Sequence, residues 1–214
     1  SACAATCRNC PPPHPMNPPP TETRRLLVAI TGASGAVYGL RLLQALQTVP
    51  GVETHAVVSD AGWQTLRHEL HAGPQTLRPL VHTLHDAADI GAGPASGSFR
   101  CDGMVVAPCS MRTLAAIAHG LSDNLVTRAA DVMLKERRRL VLMTRETPLH
   151  LGHLRNMTAV TEMGAIVCPP MPAFYLRPQS LDDIVDASVA RVLDLLDVPH
   201  TLSQRWQGMD IAPA

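Results

Sequence analysis

The sequence predicts an α/β domain in which helices cover both faces of a parallel sheet. Short apolar runs, typical of strands buried on both faces, alternate along the chain with longer stretches of helical periodicity. Hydrophobic residues make up 46% of the 214 residues, and aromatic residues only 3%. The chain is therefore long enough for one domain of ordinary size, with a core of aliphatic side chains.

The predicted strands and helices follow one another in a regular order. The strands cover residues 26–30, 54–58, 104–107, 140–144 and 165–168. The first helix follows Gly35 and stops at Pro50, and others cover residues 60–70, 111–119, 123–137 and 151–163. The last helix begins at Ser180, with Asp183 placed to complete a capping box and an apolar stripe that starts at Leu181. Residues 71–103 lack a strong period, and we expect a long functional loop there.

The two ends of the chain differ from the predicted domain. Proline dominates residues 11–20, so we expect residues 1–23 to form a disordered extension that buries no core. The predicted domain covers residues 24–206, and residues 207–214 form a C-terminal tail. Cys3, Cys7 and Cys10 have the spacing of an iron–sulfur loop without its folded context, so we interpret them as incidental.

Charge and cysteine content exclude several classes of function. Eighteen basic residues balance 18 acidic ones, which argues against non-specific binding to nucleic acid or to a membrane surface. No apolar stretch is long enough to span a membrane, and no secretory signal is evident. The six cysteines do not form the pattern of a disulfide framework, so free thiols and a cytoplasmic location are expected. The balanced charge also tolerates a homo-oligomer.

The loop after the first predicted strand is the first candidate binding element, because ligands of parallel α/β sheets bind beyond the carboxyl ends of the strands. Residues 31–35 read Thr-Gly-Ala-Ser-Gly, and small side chains let a ligand approach the backbone and the following helix N-terminus. We expect a phosphate or the edge of a flavin ring there, with a tight turn that binds nothing as the alternative. Ser34 stands where the dinucleotide fingerprint needs a glycine, so a mononucleotide is favoured over NAD.

The second and third predicted strands are also followed by polar side chains. Ser59 comes directly after the second strand and offers a hydroxyl group. Ser110, Arg112 and Thr113 follow the third strand and lie at the start of a predicted helix. They form a second place for polar ligand atoms, and a simple serine N-cap is an equally good interpretation.

The fourth and fifth predicted strands end in residues with more distinctive chemistry. Arg145 suits bidentate recognition of a phosphate, and the adjacent Glu146 is able to move protons. A surface ion pair between the two is the alternative. Phe174 and Tyr175 follow the fifth strand in a chain with few aromatic residues, and indicate either a ligand wall or a loop packed on the core.

Long motifs in these loops carry a resemblance to a known family. They read ITGASGAVYGLRLL (30–43), ASGSF (95–99), APCSMRTLA (107–115), RAADVMLKERRRLVLMTRETPLH (128–150) and PPMPAFYLRPQSLDD (169–183). With these motifs in this order, the chain from about Arg24 to Trp206 resembles the UbiX-type flavin prenyltransferases. The resemblance implies a flavodoxin-like (Rossmann-type) three-layer sandwich with a parallel central sheet.

The same resemblance implies a reaction. Enzymes of this family join a dimethylallyl group from dimethylallyl phosphate to N5 and C6 of reduced FMN, which is a substrate as much as a cofactor. The prenylated FMN passes to a UbiD-type decarboxylase, and no metal is needed. Family members are typically dodecamers that share the flavin site between subunits. The choice between mono- and diphosphate donor stays open, as does the choice between ubiquinone biosynthesis and aromatic-acid decarboxylation.

The resemblance also implies roles for individual residues. The expected flavin contacts are Gly32, Ala33, Ser34, Ser59, Ser110, Met111, Arg112, Thr113 and Arg145. The expected catalytic residues are Ser34, Glu69, Lys135, Arg145 and Glu146. The expected contacts of dimethylallyl phosphate are Arg128, Lys135, Arg145, Tyr175, Arg191 and Trp206. Cations suit the ionisation of an allylic phosphate because they stabilise the leaving group. Lys135 and Arg191 also fit an ordinary solvated helix surface.

Two other functions remain as alternatives. An FMN-dependent cysteine decarboxylase has the same fold but carries a P-A-S-A-N-T loop, whereas residues 108–113 here read P-C-S-M-R-T. A non-catalytic flavin carrier needs fewer cations near its pocket than this chain provides. Flavin prenyl transfer is therefore the preferred interpretation.

Overall fold

The computed structural model describes residues 23–203. The predicted extension lies outside this range except for Thr23, and Trp206 and the predicted tail 207–214 also lie outside it. Within the described part of the chain, every helix is too short or too polar to traverse a bilayer.

Six parallel strands form one central sheet in the order β3-β2-β1-β4-β5-β6. They are β1 (Arg24–Ile30), β2 (Val52–Val58), β3 (Thr83–Asp86), β4 (Gly103–Cys109), β5 (Arg139–Thr144) and β6 (Ile166–Val167). All seven residues of the central strand β4 are buried. The strand order reverses between β1 and β4, and ligands of α/β folds bind at such a switch point.

Helices cover both faces of this sheet. They are α1 (Ala36–Gln47), α2 (Asp60–Leu70), α3 (Pro74–Leu77), α4 (Met111–Ala118), α5 (Leu125–Lys135), α6 (Leu151–Glu162) and α7 (Leu181–Leu195). Buried side chains of α1, α2 and α7 form one core with alternate residues of β1, and those of α4, α5 and α6 form the other. The predicted three-layer sandwich is thereby confirmed.

Two glycines let the first helices lie directly on the sheet. A Cβ atom on Gly39 of α1 would stand 2.3 Å from the carbonyl oxygen of Ala107, and one on Gly62 of α2 would stand 2.5 Å from that of Ile30. Because backbone cannot move aside as a side chain does, these contacts fix the N-terminal halves of α1 and α2 against the carboxyl ends of β1 and β4.

Most predicted elements are present, with ends shifted by one or two residues. The prediction of one long loop over residues 71–103 is wrong, since this stretch contains α3 and β3. The side chains of β3 are exposed or half-exposed at the sheet edge, so the strand lacks the apolar run that marks the others.

The start of the last helix confirms one local prediction and corrects another. The N–H of Asp183 donates to Ser180 Oγ at 3.1 Å, and the N–H of Ser180 donates to Asp183 Oδ2 at 3.0 Å, which completes the capping box. Leu181 was expected on the buried stripe but is 80% exposed. The buried part of the stripe therefore begins one turn later, at Val185.

Candidate functional site

A cavity of about 610 Å³ lies at the carboxyl ends of β1, β2 and β4. This volume is in the range of small-molecule sites. Its walls come from the loops after these strands and from the first residues of α2, α4 and α5. Five predicted flavin contacts line it, namely Gly32, Ser59, Ser110, Arg112 and Thr113.

Three helices point their N-terminal ends at this cavity, and each is capped by a side chain. Ser59 Oγ accepts a hydrogen bond from the N–H of Gly62 at 3.0 Å, and Ser110 Oγ accepts one from that of Thr113 at 3.2 Å. Asn124 caps α5 in the same way. The remaining N–H groups of the first turns and the three helix dipoles favour an anion. These ends therefore fit the phosphate of a mononucleotide, and the N-cap interpretation of Ser110 is confirmed.

The loops after β1, β2 and β4 are tied into one wall. Thr31 Oγ1 donates to the carbonyl oxygen of Pro108 at 2.7 Å and accepts from the N–H of Ser110 at 2.9 Å. A Cβ atom on Gly32 would stand 2.4 Å from Cβ of Ala61, the second residue of α2. The glycine thus lets the first loop lie against the start of α2, and leaves its own backbone facing the cavity.

A carboxylate occupies the N-terminus of α1. Glu69 Oε2 accepts hydrogen bonds from the N–H groups of Gly35 and Ala36 at 3.0 and 2.9 Å, and the Ser34 hydroxyl also bonds the carboxylate. Burial acts to raise the pKa of Glu69, but these hydrogen bonds and the charge of Arg145 hold it below its ordinary value. We expected a phosphate or a flavin edge at this helix end. Its first N–H groups are instead already bonded to an ionised side chain.

Arg145 lies beside this carboxylate. Its backbone N–H donates to the carbonyl oxygen of Cys109 at 3.2 Å, which sets the residue just beyond β5. Its charge lowers the pKa of Glu69 and opposes the rise that burial causes in the pKa of Tyr38. The guanidinium group makes no hydrogen bond or ion pair with any residue between 23 and 203. A cation thus faces the start of α1 with its donors available.

Glu146 bonds to the residue that follows it in the chain. Its Oε1 atom accepts a hydrogen bond from the N–H of Thr147 at 3.0 Å, and the side chain is exposed. The alternative of an ion pair between the two neighbours is not found. Glu146 is therefore near the arginine in sequence without neutralising it.

Two predicted cations lie away from the cavity in this chain. Helix α5 starts at the cavity with Asn124 as its cap, and Lys135 is its last residue, about 15 Å further along the helix axis. Lys135 Nζ pairs with Glu136 at 2.5 Å. Arg128 Nε donates to the carbonyl oxygen of Ala95 at 3.2 Å, and Arg128 also pairs with Asp131 at 2.9 Å. One chain alone does not bring Lys135 and Arg128 to the cavity.

A second recess of about 530 Å³ lies between the loop after β6 and α7. Tyr175 and Arg191 both line it, with Met143 of β5 in its wall. Met143 precedes Arg145 by two residues, so the two side chains leave the strand on the same side. Tyr175 and Arg191 are thus together in a recess separate from the first cavity, and Met143 belongs to the strand that ends directly before Arg145.

Sequence reasoning missed several residues of the site. Ala87 and Ala88 line the cavity directly after β3, and they were missed because β3 itself was not recognised. Asn124 was missed although the spacing Asn124-x-x-Thr127 is typical of a helix start. Tyr38 was also missed; it is half-buried near Arg145 and lies in the first turn of α1.

Comparisons with known proteins agree with this geometry. A family model described as Flavoprotein matches residues 16–198. The flavin prenyltransferase UbiX of Salmonella typhimurium is 56% identical over 187 residues, which cover 86% of this chain and 99% of the relative. The corresponding protein of Thauera aromatica is 55% identical over 184 residues, which cover 86% of this chain and 94% of the relative.

Solved structures give the same result. The crystal structure of AnUbiX in complex with FMN and dimethylallyl pyrophosphate is 50% identical with a TM-score of 0.86, and the match covers 88% of this chain and 100% of that one. A dodecameric FMN-dependent UbiX-like decarboxylase from Escherichia coli O157:H7 is 51% identical with a TM-score of 0.84, over 86% and 100% of the two chains. The FMN-dependent cysteine decarboxylase TvaF, at 21% identity and a TM-score of 0.57, shares the fold alone. The chain belongs to the UbiX-type flavin prenyltransferases.

Proposed function

We propose that this chain transfers the dimethylallyl group of dimethylallyl phosphate to N5 and C6 of reduced FMN, and that a UbiD-type decarboxylase receives the product. Membership of the family makes it a flavin prenyltransferase that uses FMN. The observation that carries the residue roles is the guanidinium of Arg145, which makes no hydrogen bond or ion pair within residues 23–203 and lies beside Ser34 and Glu69. We propose in addition the identity of the phosphate donor, the roles of individual residues and the oligomeric assembly.

The cavity residues supply binding and orientation. Reduced FMN, when bound, supplies N5 and C6 as the two positions that accept the prenyl group. The N-terminal ends of α2 and α4, with Ser59, Ser110 and Thr113, would hold its phosphate because their N–H groups and dipoles favour an anion. Gly32 leaves the loop backbone open toward the same ligand.

Arg145 and its neighbours act on the prenyl donor. The guanidinium of Arg145 offsets the negative charge that builds up on the departing phosphate, and no other described residue accepts its N–H donors. Ser34 is held by the ionised Glu69, which fixes the direction of its hydroxyl group. Glu146, exposed next to Arg145, exchanges a proton with the phosphate oxygens.

The recess beside α7 receives the prenyl group and the second side of its phosphate. Met143, Pro169 and Pro170 give it apolar walls that exclude water from an allylic cation. Arg191 and Tyr175 lie in the same recess and add a charge and an aromatic ring with a hydroxyl group. Trp206, outside the described residues, is proposed to close over the site.

Lys135 and Arg128 act from a neighbouring subunit. Lys135 lies about 15 Å along α5 from the cavity of its own chain, so it reaches a phosphate only in an assembly. Exposed Leu121, Leu151 and Leu154, at 59%, 60% and 47%, provide an apolar surface for subunit contact. The relative from Escherichia coli O157:H7 is dodecameric, and we propose the same assembly here.

The compartment proposed for the reaction is the cytoplasm. Cys101, Cys109 and Cys168 are free thiols, as expected in a reducing environment.

The mass of the flavin after turnover tests the proposal. Reduced FMN is incubated without oxygen with the protein and either dimethylallyl phosphate or the diphosphate, and the extracted flavin is weighed by mass spectrometry. We expect one added C₅H₈ unit with the monophosphate. A flavin of unchanged mass with both donors contradicts prenyl transfer, and gain of the unit only with the diphosphate corrects the donor. Loss of CO₂ from a peptide with a C-terminal cysteine would instead support the decarboxylase alternative.

A further inference from the structure

A polar network surrounds the buried ring of His55, and the proposed reaction does not use it. Glu53 Oε1 and Oε2 accept hydrogen bonds from Arg25 at 3.0 and 3.1 Å, and Oε1 also lies 2.7 Å from His55 Nε2. His55 Nδ1 lies 2.9 Å from His85 Nε2. His55 is only 5% exposed, while Arg25, Glu53 and His85 are partly exposed, so this chain of groups joins β1, β2 and β3 around one buried ring.

The geometry fixes the position of each proton in this network. Arg25 and His55 lower the pKa of Glu53 to about 2, so its carboxylate is ionised and only accepts hydrogen bonds. His55 must therefore carry its proton on Nε2, which leaves Nδ1 as an acceptor when the ring is neutral. His85 then donates through Nε2. The 2.9 Å contact holds one proton between two neutral rings, and it cannot hold two.

The histidine pair is connected to the flavin cavity through β3. This four-residue strand pairs with β2 alone at the edge of the sheet, and His85 is its third residue. The next two residues, Ala87 and Ala88, line the cavity. The carbonyl oxygen of Ala87 accepts the N–H of Leu125, the first residue of α5, at 2.8 Å. The end of β3 thus positions both its own loop and the start of α5.

The segment that follows Ala88 also packs on the pair. The ring of Phe99 meets His55 edge to face, with 5.1 Å between ring centroids, and Arg25 Cζ lies 4.6 Å over the same ring. Arg138 holds the carbonyl oxygens of Gly97 and Phe99 at 2.8 Å each. Movement of His55 and His85 would therefore displace both ends of the segment from Ala88 to Phe99, which forms this wall.

We propose that His55 and His85 are positioning residues for the flavin: their shared hydrogen bond holds the β3 side of the cavity wall, and protonation of the pair releases that wall and weakens FMN binding. This rests on the proposed function only in that FMN occupies the cavity. The charged groups that face the pair are Arg25 and His82, which oppose protonation, and Glu53 and Asp89, which favour it.

Burial sets the direction of the pH effect. It lowers the pKa of both imidazoles from the ordinary value, against the opposite influence of Glu53 on His55 and of Asp89 on His85. The imidazoles of His55 and His85 therefore bind protons more readily when the wall is displaced than when it is ordered. Ordering is complete above the ordinary histidine pKa of about 6.5 and is lost as the pH falls below it.

The test compares His85→Gln, His85→Leu and the wild type, in the full chain, with His119→Gln as a control for an exposed histidine away from the network. The dissociation constant of FMN is measured by quenching of flavin fluorescence at two pH values, one about a unit below and one about a unit above 6.5. The amide of glutamine replaces the Nε2–H donor but does not titrate, whereas leucine leaves His55 Nδ1 buried without a partner. The FMN phosphate titrates near pH 6 in every variant, so the result is the difference between variants.

We expect His85→Gln to bind FMN like the wild type at the higher pH, and to lose about tenfold less affinity than the wild type on acidification. His85→Leu should bind about tenfold more weakly at both pH values, and His119→Gln should follow the wild type. Equal pH dependence in the wild type and His85→Gln overturns the proposal while FMN binding itself stands. A wild type that binds no FMN at the higher pH overturns both this proposal and the proposed function.

Discussion

Arginines lie at both ends of the parallel strands, which we call the amino edge and the carboxyl edge of the sheet, but they make different interactions. At the amino edge, Arg24 donates to the carbonyl oxygens of Leu196 and Asp197 at 2.6 and 2.8 Å, and Arg139 pairs with the Asp197 carboxylate at 2.6 Å. These contacts neutralise the end of α7, where carbonyl groups lack helical partners. At the carboxyl edge, Arg145 has no such partner within residues 23–203.

The size of a cleft does not distinguish the two edges. The amino-edge cleft has a volume of about 680 Å³ and is larger than the cavity of about 610 Å³ at the ends of β1, β2 and β4. Its wall contains Arg24, Arg100, Arg137, Arg138 and Arg139. Three of its five arginines are bonded to backbone carbonyls. Arg145 differs from these three because it makes no hydrogen bond to a backbone carbonyl within residues 23–203 and lies beside the ionised Glu69 at the start of α1.

Arg145→Ala is expected to have the largest effect of any change at either edge. Without the guanidinium, the departing phosphate loses its charge partner, and we expect prenyl transfer to fall at least about 100-fold while FMN binding changes little. Flavin mass after turnover and fluorescence quenching measure the two quantities. The matched control is Arg139→Ala at the amino edge, for which the same activity as wild type is expected. Comparable losses in both variants would remove the distinction between the edges.

Glu69→Gln tests the carboxylate at the start of α1. The amide keeps an acceptor but loses the charge that suits a helix N-terminus, and we expect the free energy of unfolding to fall by about 1 kcal/mol at neutral pH. Because the pKa of Glu69 is lowered in the folded protein, the stability it contributes is present above its ordinary pKa and is lost as the pH falls through the folded-state value.

Urea unfolding at neutral pH and in acid measures this effect. The wild type should lose more stability than Glu69→Gln on acidification, so that the two unfolding curves converge. Parallel curves at all pH values would mean that the carboxylate has the same pKa in the folded and unfolded states.

Arg24→Ala tests the structural use of an arginine. We expect about 1 kcal/mol of lost stability, because two carbonyl groups at the end of α7 lose a charged donor, with activity per folded molecule unchanged. Thermal unfolding and the flavin assay report on the two effects separately. A loss of turnover without a loss of stability would assign Arg24 to the reaction.

Removal of residues 1–23 is expected to have the smallest effect. The proline-rich composition of this stretch predicts that it buries no core, so unfolding temperature and prenyl transfer should both stay at the wild-type value. A truncated chain that unfolds earlier or turns over more slowly would show that the extension contacts the domain.

The sequence was sufficient for the parts of the fold that bury apolar runs. The strands that end at Ile30 and Thr144 contain the apolar runs LLVAI and LVLM, and the strand that ends at Val58 closes with Ala-Val-Val; such runs occur where both faces of a sheet are covered. β3 escaped prediction because an edge strand beside solvent needs no such run. Local capping signals such as Ser180 were readable since both partners lie within one turn.

The site was predictable only in part, because its contacts join distant segments. No spacing rule links Glu69 to Gly35, 34 positions earlier, and only the family resemblance pointed to that glutamate. Lys135 was expected to bind the prenyl phosphate because of its charge. Its position depends on the length and direction of α5, which places it far from the cavity. The residue types that follow each strand indicate which reactions the site could support, but only the fold shows which of these side chains lie close together.

The carboxylate of Glu69 gives the site a polarity before any ligand arrives. The first N–H groups of α1 are already bonded to this carboxylate, whereas the starts of α2 and α4 offer N–H groups to an anion, so we expect the FMN phosphate to bind at α2 and α4. FMN would consequently enter with its ribityl phosphate directed toward Ser59 and Ser110, and its ring system would be left next to Arg145. We therefore expect Glu69 to help determine that the ring system of the flavin, and not its phosphate, lies next to the prenyl donor.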